Sequence, residues 1–231
     1  MVTSGDRGRT WSAPRPLASA RLAWASPFGR IARRADGALL LAAYGPSRGA
    51  AASDRFDAIL LISRDDGATW GEDALVCTDA SELSLCVDGE RVLGAVRRRD
   101  SSTALVESLD GGRTWSAPRP VTRPLEHPAD LCVLAGSGQL LLTFGRRRRP
   151  LGVGALTSTD GGATWDTAHE ALLAGDGIGN DVGYPSTVQL ADGTLVTLAY
   201  FARGSAASEP ADGWGETSCQ ALRYPAALVT R

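Results

Sequence analysis

The chain has 231 residues, 43% of them hydrophobic and 22% charged, which is enough to bury one large core. Its net charge of −2 gives no sign of a nucleic-acid partner, and no apolar run is long enough to span a membrane. We therefore expect a soluble globular protein. The N-terminus has no signal-peptide pattern, which predicts a cytoplasmic location; secretion would require an N-terminal stretch that this sequence lacks.

The first repeated element is an acidic turn with the pattern Ser-x-Asp-x-Gly-x-Thr-Trp. Its four copies, called the acidic turns below, are residues 4–11, 63–70, 108–115 and 158–165. The shared aspartates are separated by 59, 45 and 50 residues. These steps are close to the roughly 40 to 50 residues of one four-stranded β-propeller blade, so the spacing predicts one acidic turn for each blade.

The composition of the acidic turns indicates a structural role. Their Ser and Asp side chains can accept hydrogen bonds from backbone N–H groups, and their glycine can adopt the backbone angle that the turn requires. The closing tryptophan is large enough to fill the wedge between adjacent blades. We interpret the four aspartates as scaffold residues rather than as catalytic groups or calcium ligands.

A second repeated element is a tight turn followed by an apolar strand. It occurs at Asp36-Gly37, Asp88-Gly89, Ser137-Gly138 and Asp192-Gly193. Such dipeptides favour hairpins, because the turn needs residues that tolerate a positive φ. The two elements alternate along the chain, which predicts an all-β propeller formed as a single domain over residues 1–231.

The number of blades follows from the number of predicted strands. Counting strands gives four nearly complete blades. A strand stub before Asp6 and a closing hairpin at residues 214–230 bring the expectation to about five blades of a six-bladed ring. Either the propeller is small or the sequence lacks N-terminal strands of a larger ring, and we favour the second interpretation.

The cysteines and histidines do not indicate a metal centre. Four cysteines are scattered without a Cys-x-x-Cys pair, and we interpret them as small buried residues rather than as zinc ligands or disulfides. The two histidines, His127 and His169, are interpreted as surface or loop residues. The sequence therefore predicts neither a metal site nor another cofactor.

Function is expected in residues that do not repeat, at the strand ends and loops of one face. These outliers, in chain order, are Arg30-Ile31, Asp54 with Asp57, Glu82, Arg97, residues 146–149 and residues 181–186. On a scaffold with acidic turns, this ordered set resembles the sialidase (neuraminidase) superfamily, whose Asp boxes the acidic turns match. The resemblance covers essentially the whole chain and implies a six-bladed propeller that acts on a sialic acid glycan.

The resemblance implies three catalytic residues. Tyr184 resembles the family's tyrosine nucleophile, and Glu82 resembles the glutamate that assists it. Asp54 resembles the acid/base aspartate, with Asp57 as the second choice. A neutral phenol suits an anionic sugar because a carboxylate nucleophile would repel it, and the phenol's ordinary pKa near 10 requires a nearby base.

The resemblance also implies three arginines that hold the substrate carboxylate through charge-assisted hydrogen bonds. Arg30 begins a segment similar to the family's Arg-Ile-Pro motif, although Ala32 stands where proline is expected. Arg97 resembles the second arginine. The third arginine is the poorest match to the family pattern: one of residues 146–149 could serve, and Arg147 is our choice.

Two functions from different classes remain open. The first is an exo-glycoside hydrolase that removes a terminal sialic acid or a related acidic sugar, and the same scaffold could act on a different sugar. The second is a non-catalytic propeller that binds glycans or proteins. Ala32, the uncertain third arginine and the shortage of strands favour the second. The sequence indicates no oligomeric state.

Overall fold

The computed structural model describes residues 1–49, 55–202 and 217–230, without the side chains of residues 72 and 73. Within them the chain forms sixteen β-strands, grouped in four antiparallel sheets, and two short 3-10 helices at Thr167–His169 and Ala226–Leu228. The first sheet contains β1 (Ser26–Pro27), β2 (Ala32–Arg33), β3 (Leu39–Gly45), β4 (Asp57–Ser63) and β5 (Gly71–Cys77). The second contains β6 (Ala80–Asp88), β7 (Arg91–Arg98), β8 (Thr103–Ser108) and β9 (Arg119–Pro120). The third contains β10 (Glu126–Val133), β11 (Leu140–Arg146), β12 (Leu151–Ser158) and β13 (Ala171–Gly177), and the fourth contains β14 (Gly183–Gln189), β15 (Thr194–Ala202) and β16 (Thr217–Pro225).

The four sheets are arranged as the blades of a β-propeller. Within the second, third and fourth sheets, strands pair in chain order, and consecutive sheets contact each other through β3, β6, β10 and β14. The all-β propeller expected from the sequence is therefore confirmed, with four blades in the described residues. The expected fifth and sixth blades are not confirmed. The closing hairpin expected at residues 214–230 is, over its described part, one strand and a 3-10 helix.

The tight turns predicted from the sequence join the first strands of each blade. Asp36-Gly37 precedes β3, Asp88-Gly89 joins β6 to β7, Ser137-Gly138 joins β10 to β11, and Asp192-Gly193 joins β14 to β15. The glycines of these four turns have φ between 62° and 88°. Positive φ is accessible to glycine at little cost, which explains its presence in each turn.

The second, third and fourth acidic turns each join the last two strands of a blade. All four acidic turns are closed by hydrogen bonds of their own side chains. In the third copy, Asp110 accepts hydrogen bonds from the Thr114 backbone N–H at 2.9 Å and from Thr114 Oγ1 at 2.7 Å, and Ser108 Oγ accepts one from Gly112 N–H at 2.7 Å. The other copies repeat these bonds. Hydrogen bonds from the threonine lower the pKa of Asp6, Asp65 and Asp160 to about 2 and that of Asp110 further. The scaffold interpretation accounts for every one of these contacts.

The hydrophobic core lies between consecutive blades. Trp115 packs on the cluster between the first and second sheets, and Trp165 packs on the cluster between the second and third. A Cβ atom at Gly112 would lie 2.3 Å from Leu60 Cδ2 of the preceding blade, so this position admits only glycine without movement of the leucine. Trp11, in the first acidic turn, is 61% exposed and differs from the other copies.

Each acidic turn after the first also accepts hydrogen bonds from an arginine of the preceding segment. Arg15 donates to Ala68 O at 2.8 Å, Arg34 donates to Gly111 O at 3.1 Å, and Arg91 donates to Gly161 O at 2.6 Å. This repeated contact links neighbouring blades at the end that carries the acidic turns. The sequence did not reveal it, because the three arginines lie at different distances from the turns that they contact.

Two expectations about single residues are wrong. His127 is only 2% exposed because it lies in the inner strand β10, whereas the sequence predicted a surface or loop position. Cys219 is exposed because it lies in β16, whose outer face no described strand covers; Cys77 and Cys86 are buried as expected.

In the described residues, no helix is both long and apolar enough to cross a bilayer.

Candidate functional site

A phenol, a carboxylate and a guanidinium from two blades form the centre of the candidate site. Tyr184 Oη donates a hydrogen bond to Glu82 Oε1 at 2.8 Å, and Arg97 Nη1 lies 3.1 Å from both carboxylate oxygens of Glu82. Ser81 Oγ donates to Glu82 Oε2 at 2.9 Å. Glu82 is only 3% exposed, so its buried charge needs compensating partners. It has three, and two of them, Tyr184 and Arg97, are the other groups at the centre of the site.

Irregular strand pairing brings these groups to the same end of the inner strands. The pairing of β6 with β7 shifts between Ser81 and Leu83, at Glu82, and the pairing of β14 with β15 shifts between Gly183 and Ser186, at Tyr184. The pairing of β10 with β11 shifts in the same way around His127. Such bulges turn a side chain away from its regular direction, and here they do so in three successive blades.

A close approach of two backbones sets the position of Tyr184. A Cβ atom at Gly183 would lie 2.7 Å from Gly145 Cα, and a Cβ atom at Gly145 would lie 2.7 Å from His127 O. Glycine is therefore required at both positions. Tyr184 itself has φ of 51°, in the left-handed region that residues with a side chain rarely adopt.

A second phenol–carboxylate pair lies beside the first. The rings of Tyr184 and Tyr200 stack with their centroids 5.5 Å apart, and Tyr200 Oη donates to Asp181 Oδ1 at 2.6 Å. Arg147 Nη2 lies 3.6 Å from the same Asp181 oxygen. The sequence analysis did not assign roles to Tyr200 or Asp181. Tyr200 pairs with Gly183, next to Tyr184, and its place across the hairpin from residues 181–186 is the signal that could have revealed it.

Both phenols are held in their neutral form. Burial raises the pKa of Tyr184, and the hydrogen bond to Glu82 and its negative charge raise it further. Burial and the hydrogen bond to Asp181 raise the pKa of Tyr200 to about 12. At neutral pH each phenol therefore keeps its proton and donates a hydrogen bond to a carboxylate. That carboxylate can accept the proton if the phenol oxygen attacks an electrophile.

Arg30 approaches the same region from the first sheet. Its guanidinium pairs with Asp130 and donates to Thr187 O at 2.9 Å, three residues beyond Tyr184 in β14. Asp130 is buried and also accepts hydrogen bonds from Ser84 Oγ at 2.8 Å and Thr187 N–H at 2.7 Å. Burial raises the pKa of Asp130, while Arg30 opposes that effect. Asp130 was not recognised in the sequence, although a carboxylate inside an apolar strand is a signal of a buried polar network.

His127 is a buried neutral group next to the arginines of the site. Burial and, to a smaller extent, the positive charges of Arg97 and Arg147 together lower its pKa to about 3. Its Nδ1 atom is buried and has no hydrogen-bond partner among the described residues. A protonated imidazole would add a third positive charge here, which explains the direction of the shift.

In the arginine run at residues 146–149, Arg146 and Arg148 have different contacts from Arg147. Arg146 donates to Glu170 Oε1 at 2.9 Å, and Arg148 pairs with Glu126 and donates to Glu170 Oε2 at 3.0 Å. Arg146 and Arg148 therefore stabilise the third blade rather than form the solvated surface that is usual for such a run. Arg147 points to the opposite side of the strand, towards Asp181. Its choice as the third arginine stays a prediction, and the geometry is compatible with it.

The proposed acid/base position is described only in part. Asp54 lies outside the described residues. Asp57, the second choice, begins β4 and accepts a hydrogen bond from Ser47 Oγ within the first sheet. The structure thus brings Tyr184, Glu82 and Arg97 into direct contact and places Arg147 against Asp181. Arg30 lies against Asp130 and Thr187, and among the described residues neither Arg30 nor Asp57 contacts those three side chains. Among the described residues, no group of three His, Cys, Asp or Glu side chains is arranged to hold a metal ion.

Comparisons with known proteins agree with this architecture. A family model described as BNR repeat-like domain matches residues 1–197. A search of curated proteins finds no match. Among solved structures, the chain is similar to a protein of unknown function from Dyadobacter fermentans, with 24% identity and a TM-score of 0.74 over 95% of this chain and 62% of that chain.

Two solved sialidases share the fold. The chain is similar to the Hadza microbial sialidase Hz136, with 24% identity and a TM-score of 0.68 over 85% of this chain and 40% of that chain. It is also similar to the NanB sialidase from Streptococcus pneumoniae, with 16% identity and a TM-score of 0.71 over 99% of this chain and 36% of that chain. The chain thus spans less than two thirds of the length of each of these proteins, and at such identities the likeness shows the fold.

Proposed function

We infer that this chain, which belongs to the BNR repeat-like domain family within the sialidase-type β-propellers, is an exo-glycoside hydrolase for a terminal sialic acid or related acidic sugar. The observation that carries this proposal is the hydrogen bond from Tyr184 Oη to Glu82 at 2.8 Å, with Arg97 against the same carboxylate. A phenol paired with a buried carboxylate is the arrangement that an activated tyrosine nucleophile needs.

The proposed reaction assigns one task to each group. Tyr184 Oη attacks the anomeric carbon and passes its proton to Glu82, whose two oxygens stay oriented by Arg97. Arg30, Arg97 and Arg147 bind the substrate carboxylate, and a protonated Asp54 assists departure of the rest of the glycan. Water then releases the sugar from the tyrosine, so the product keeps the configuration of the substrate.

The experiment is hydrolysis of an aryl α-sialoside by the purified protein, followed by proton NMR of the first sugar released. We expect release of the aryl group and a product that retains the α configuration before it mutarotates. Release with inversion would contradict Tyr184 as a nucleophile. Absence of release from sialosides and from other acidic aryl glycosides would contradict the enzyme proposal.

A non-catalytic glycan-binding propeller is the second candidate, and one observation favours it. The guanidinium of Arg30 is already paired with the buried Asp130 and with Thr187 O, and Arg147 lies against Asp181. Arginines with such partners have fewer donors left for a substrate carboxylate. Binding of sialosides on a glycan array without hydrolysis would support this candidate over the first.

We also propose that the complete ring has six blades, as the resemblance implies. The described residues form four sheets, and one face of the fourth sheet carries the exposed side chains of Val188 and Leu198, each nearly half exposed. Blade faces of a propeller are normally covered by a neighbouring blade. A crystal structure of the whole natural protein would test this count, and a closed ring of four blades would contradict it.

A further inference from the structure

A cleft rich in arginine opens beside Glu82, between the first and second sheets. This arginine cleft has a volume of about 290 Å³. Its basic side chains belong to Arg55, Arg97, Arg98 and Arg99, and it shares Glu82 and Arg97 with the candidate site. Low-dielectric walls with an excess of one charge concentrate the electrostatic potential, so the cleft is an attractive location for an anion.

The carboxylates of the arginine cleft do not balance its guanidinium groups. Four guanidiniums face two carboxylates, Glu82 and Asp79, and Glu82 is held by Arg97. Asp79 Oδ1 lies 3.4 Å from Arg55 Nε and 4.0 Å from Arg99 Nη1, and it accepts no hydrogen bond from the described residues. The side chains of Arg55 and Arg99 are 65% and 61% exposed, so their N–H donors are accessible to a ligand.

Arg98 adds a charge that no carboxylate in the described residues offsets by a salt bridge. Its Nη1 atom donates to Thr78 O at 2.7 Å and to Cys77 Sγ at 2.7 Å, which are both neutral acceptors. These bonds fix the guanidinium at the floor of the cleft without neutralising it. A guanidinium held in this way, next to two exposed ones, can bind a sulfate or carboxylate by several charge-assisted hydrogen bonds.

The opposite wall of the arginine cleft is aromatic. Tyr44 and Phe56 line it, with ring centroids 5.8 Å apart, and Trp24 supports Phe56 at 5.4 Å. Aromatic side chains offer a rigid apolar surface with a polar edge, which suits the apolar face of a sugar ring. The cleft therefore combines a surface for a sugar ring with donors for an anionic substituent.

We propose that the arginine cleft binds a second anionic group of the substrate, a sulfate or carboxylate on the sugar next to the residue that is removed. This inference rests on the proposed function, because Glu82 and Arg97 border both the cleft and the candidate site. It adds a preference that the proposed function does not include, namely for glycans that are anionic at two neighbouring positions. Arg55 and Arg99 are the residues that determine this preference.

The experiment compares KM for three substrates at low ionic strength: 3′-sialyllactose, its analogue sulfated on galactose, and an oligosaccharide ending in two linked sialic acids. We expect about a tenfold lower KM for at least one doubly anionic substrate, since two charge-assisted hydrogen bonds exceed the roughly 1.4 kcal/mol that a factor of ten requires. The sulfated and the disialyl substrates distinguish between a sulfate and a carboxylate as the ligand. The advantage should shrink at 0.5 M salt, because exposed arginines are screened.

The variant Arg55→Gln/Arg99→Gln should lose this advantage and keep KM for 3′-sialyllactose. Both side chains are exposed, so the fold should not depend on them. The matched control is Arg223→Gln, which removes an equally exposed arginine of the fourth sheet and should change nothing. Equal KM values for all substrates in the unmodified protein, or an advantage that survives in the double variant, would overturn the proposal.

A binding measurement separates this inference from the proposed function. Sulfated lactose, which carries no sialic acid, is titrated calorimetrically into the unmodified protein and into the double variant. Binding that only the unmodified protein shows would support the arginine cleft even if no sialoside is hydrolysed. Hydrolysis of sialosides without such binding and without a KM advantage would uphold the proposed function and refute the cleft.

Discussion

The acidic turns are closed by hydrogen bonds between residues close in sequence, whereas the candidate site depends on contacts between residues far apart in sequence. The hydrogen bonds that close an acidic turn join residues two to four positions apart. In the candidate site, Tyr184 and Glu82 are 102 positions apart, and Arg30 and Asp130 are 100 positions apart. The turns are therefore properties of a short segment, whereas the site is a property of the way in which blades pack.

This difference separates the residues that maintain the fold from those that are expected to carry the chemistry. A change in a side chain that closes an acidic turn is expected to alter the stability of its blade and to leave the residues of the candidate site in place. A change in the site removes a charge or a proton donor from a group that several blades support. The first kind of change should affect unfolding, and the second should affect turnover.

The largest effect is expected from removal of the Tyr184 hydroxyl. We expect Tyr184→Phe to lower kcat by roughly a thousandfold or more, because the variant has no nucleophile and no proton to pass to Glu82. Assays on an aryl sialoside would measure it.

The control for this prediction is Tyr224→Phe in the same sheet. It removes a hydroxyl that contacts Thr197 in the core, away from Glu82, and should cost stability without a comparable loss of kcat. Equal losses of kcat in the two variants would contradict a specific catalytic role for the Tyr184 hydroxyl.

The next effect compares two adjacent arginines. We expect Arg148→Gln to lower the free energy of unfolding by about 3 kcal/mol, since it leaves the buried Glu126 carboxylate without its ion pair. Arg147→Gln should instead lower kcat/KM by about 10- to 100-fold with little change in stability, through loss of a charged substrate contact. Chemical denaturation and steady-state kinetics on both variants would measure the contrast; the reverse pattern would contradict the division of the run.

A smaller effect concerns His127 and pH. Its pKa is about 3 in the folded state and 6.5 in its ordinary state, so between these values the unfolded chain binds a proton that the folded chain does not. Stability should therefore fall as pH decreases from about 6.5, by at most about 1.4 kcal/mol per unit from this group. His127→Gln should flatten that slope, and His169→Gln, at an exposed position, should leave it intact.

The smallest effect is expected in an acidic turn. Asp110→Ala should lower Tm and leave kcat/KM unchanged, because the turn loses the four hydrogen bonds that this carboxylate accepts from Ser108, Arg113 and Thr114. The lowered pKa values of these aspartates mean that their contribution is complete above about pH 4 and is lost as pH falls towards about 2. Thermal unfolding from pH 7 to pH 2.5 would measure it, and a loss of activity at pH 7 would contradict the scaffold role.

The same difference in range explains what the sequence could predict. The acidic turns and the Asp-Gly hairpins need a few adjacent residues, so their spacing was enough to predict the blades. Tyr184, Glu82 and Arg97 could be selected because they interrupt the repeat in an order that resembles a known superfamily. Their mutual contacts were not predictable from spacing, because the bulges in β6 and β14 decide where the side chains point.

The residues that sequence reasoning missed are those whose role depends on a neighbouring blade. His127 was interpreted as a surface or loop residue, yet it is buried in β10 beside Arg97 and Arg147, which come from other parts of the chain. Asp130 is buried in an apolar strand and acquires its meaning from Arg30, 100 positions away. The four nearly complete blades counted from the sequence match the four sheets of the described residues, and the fifth and sixth blades stay a prediction.

The left-handed backbone of Tyr184 has an energetic cost. A residue with a side chain spends about 1 kcal/mol to adopt that conformation, and glycine does not. Selection for a durable fold alone would therefore favour glycine at position 184, directly after Gly183. Tyrosine at this position thus combines a local backbone cost with a hydroxyl that reaches Glu82.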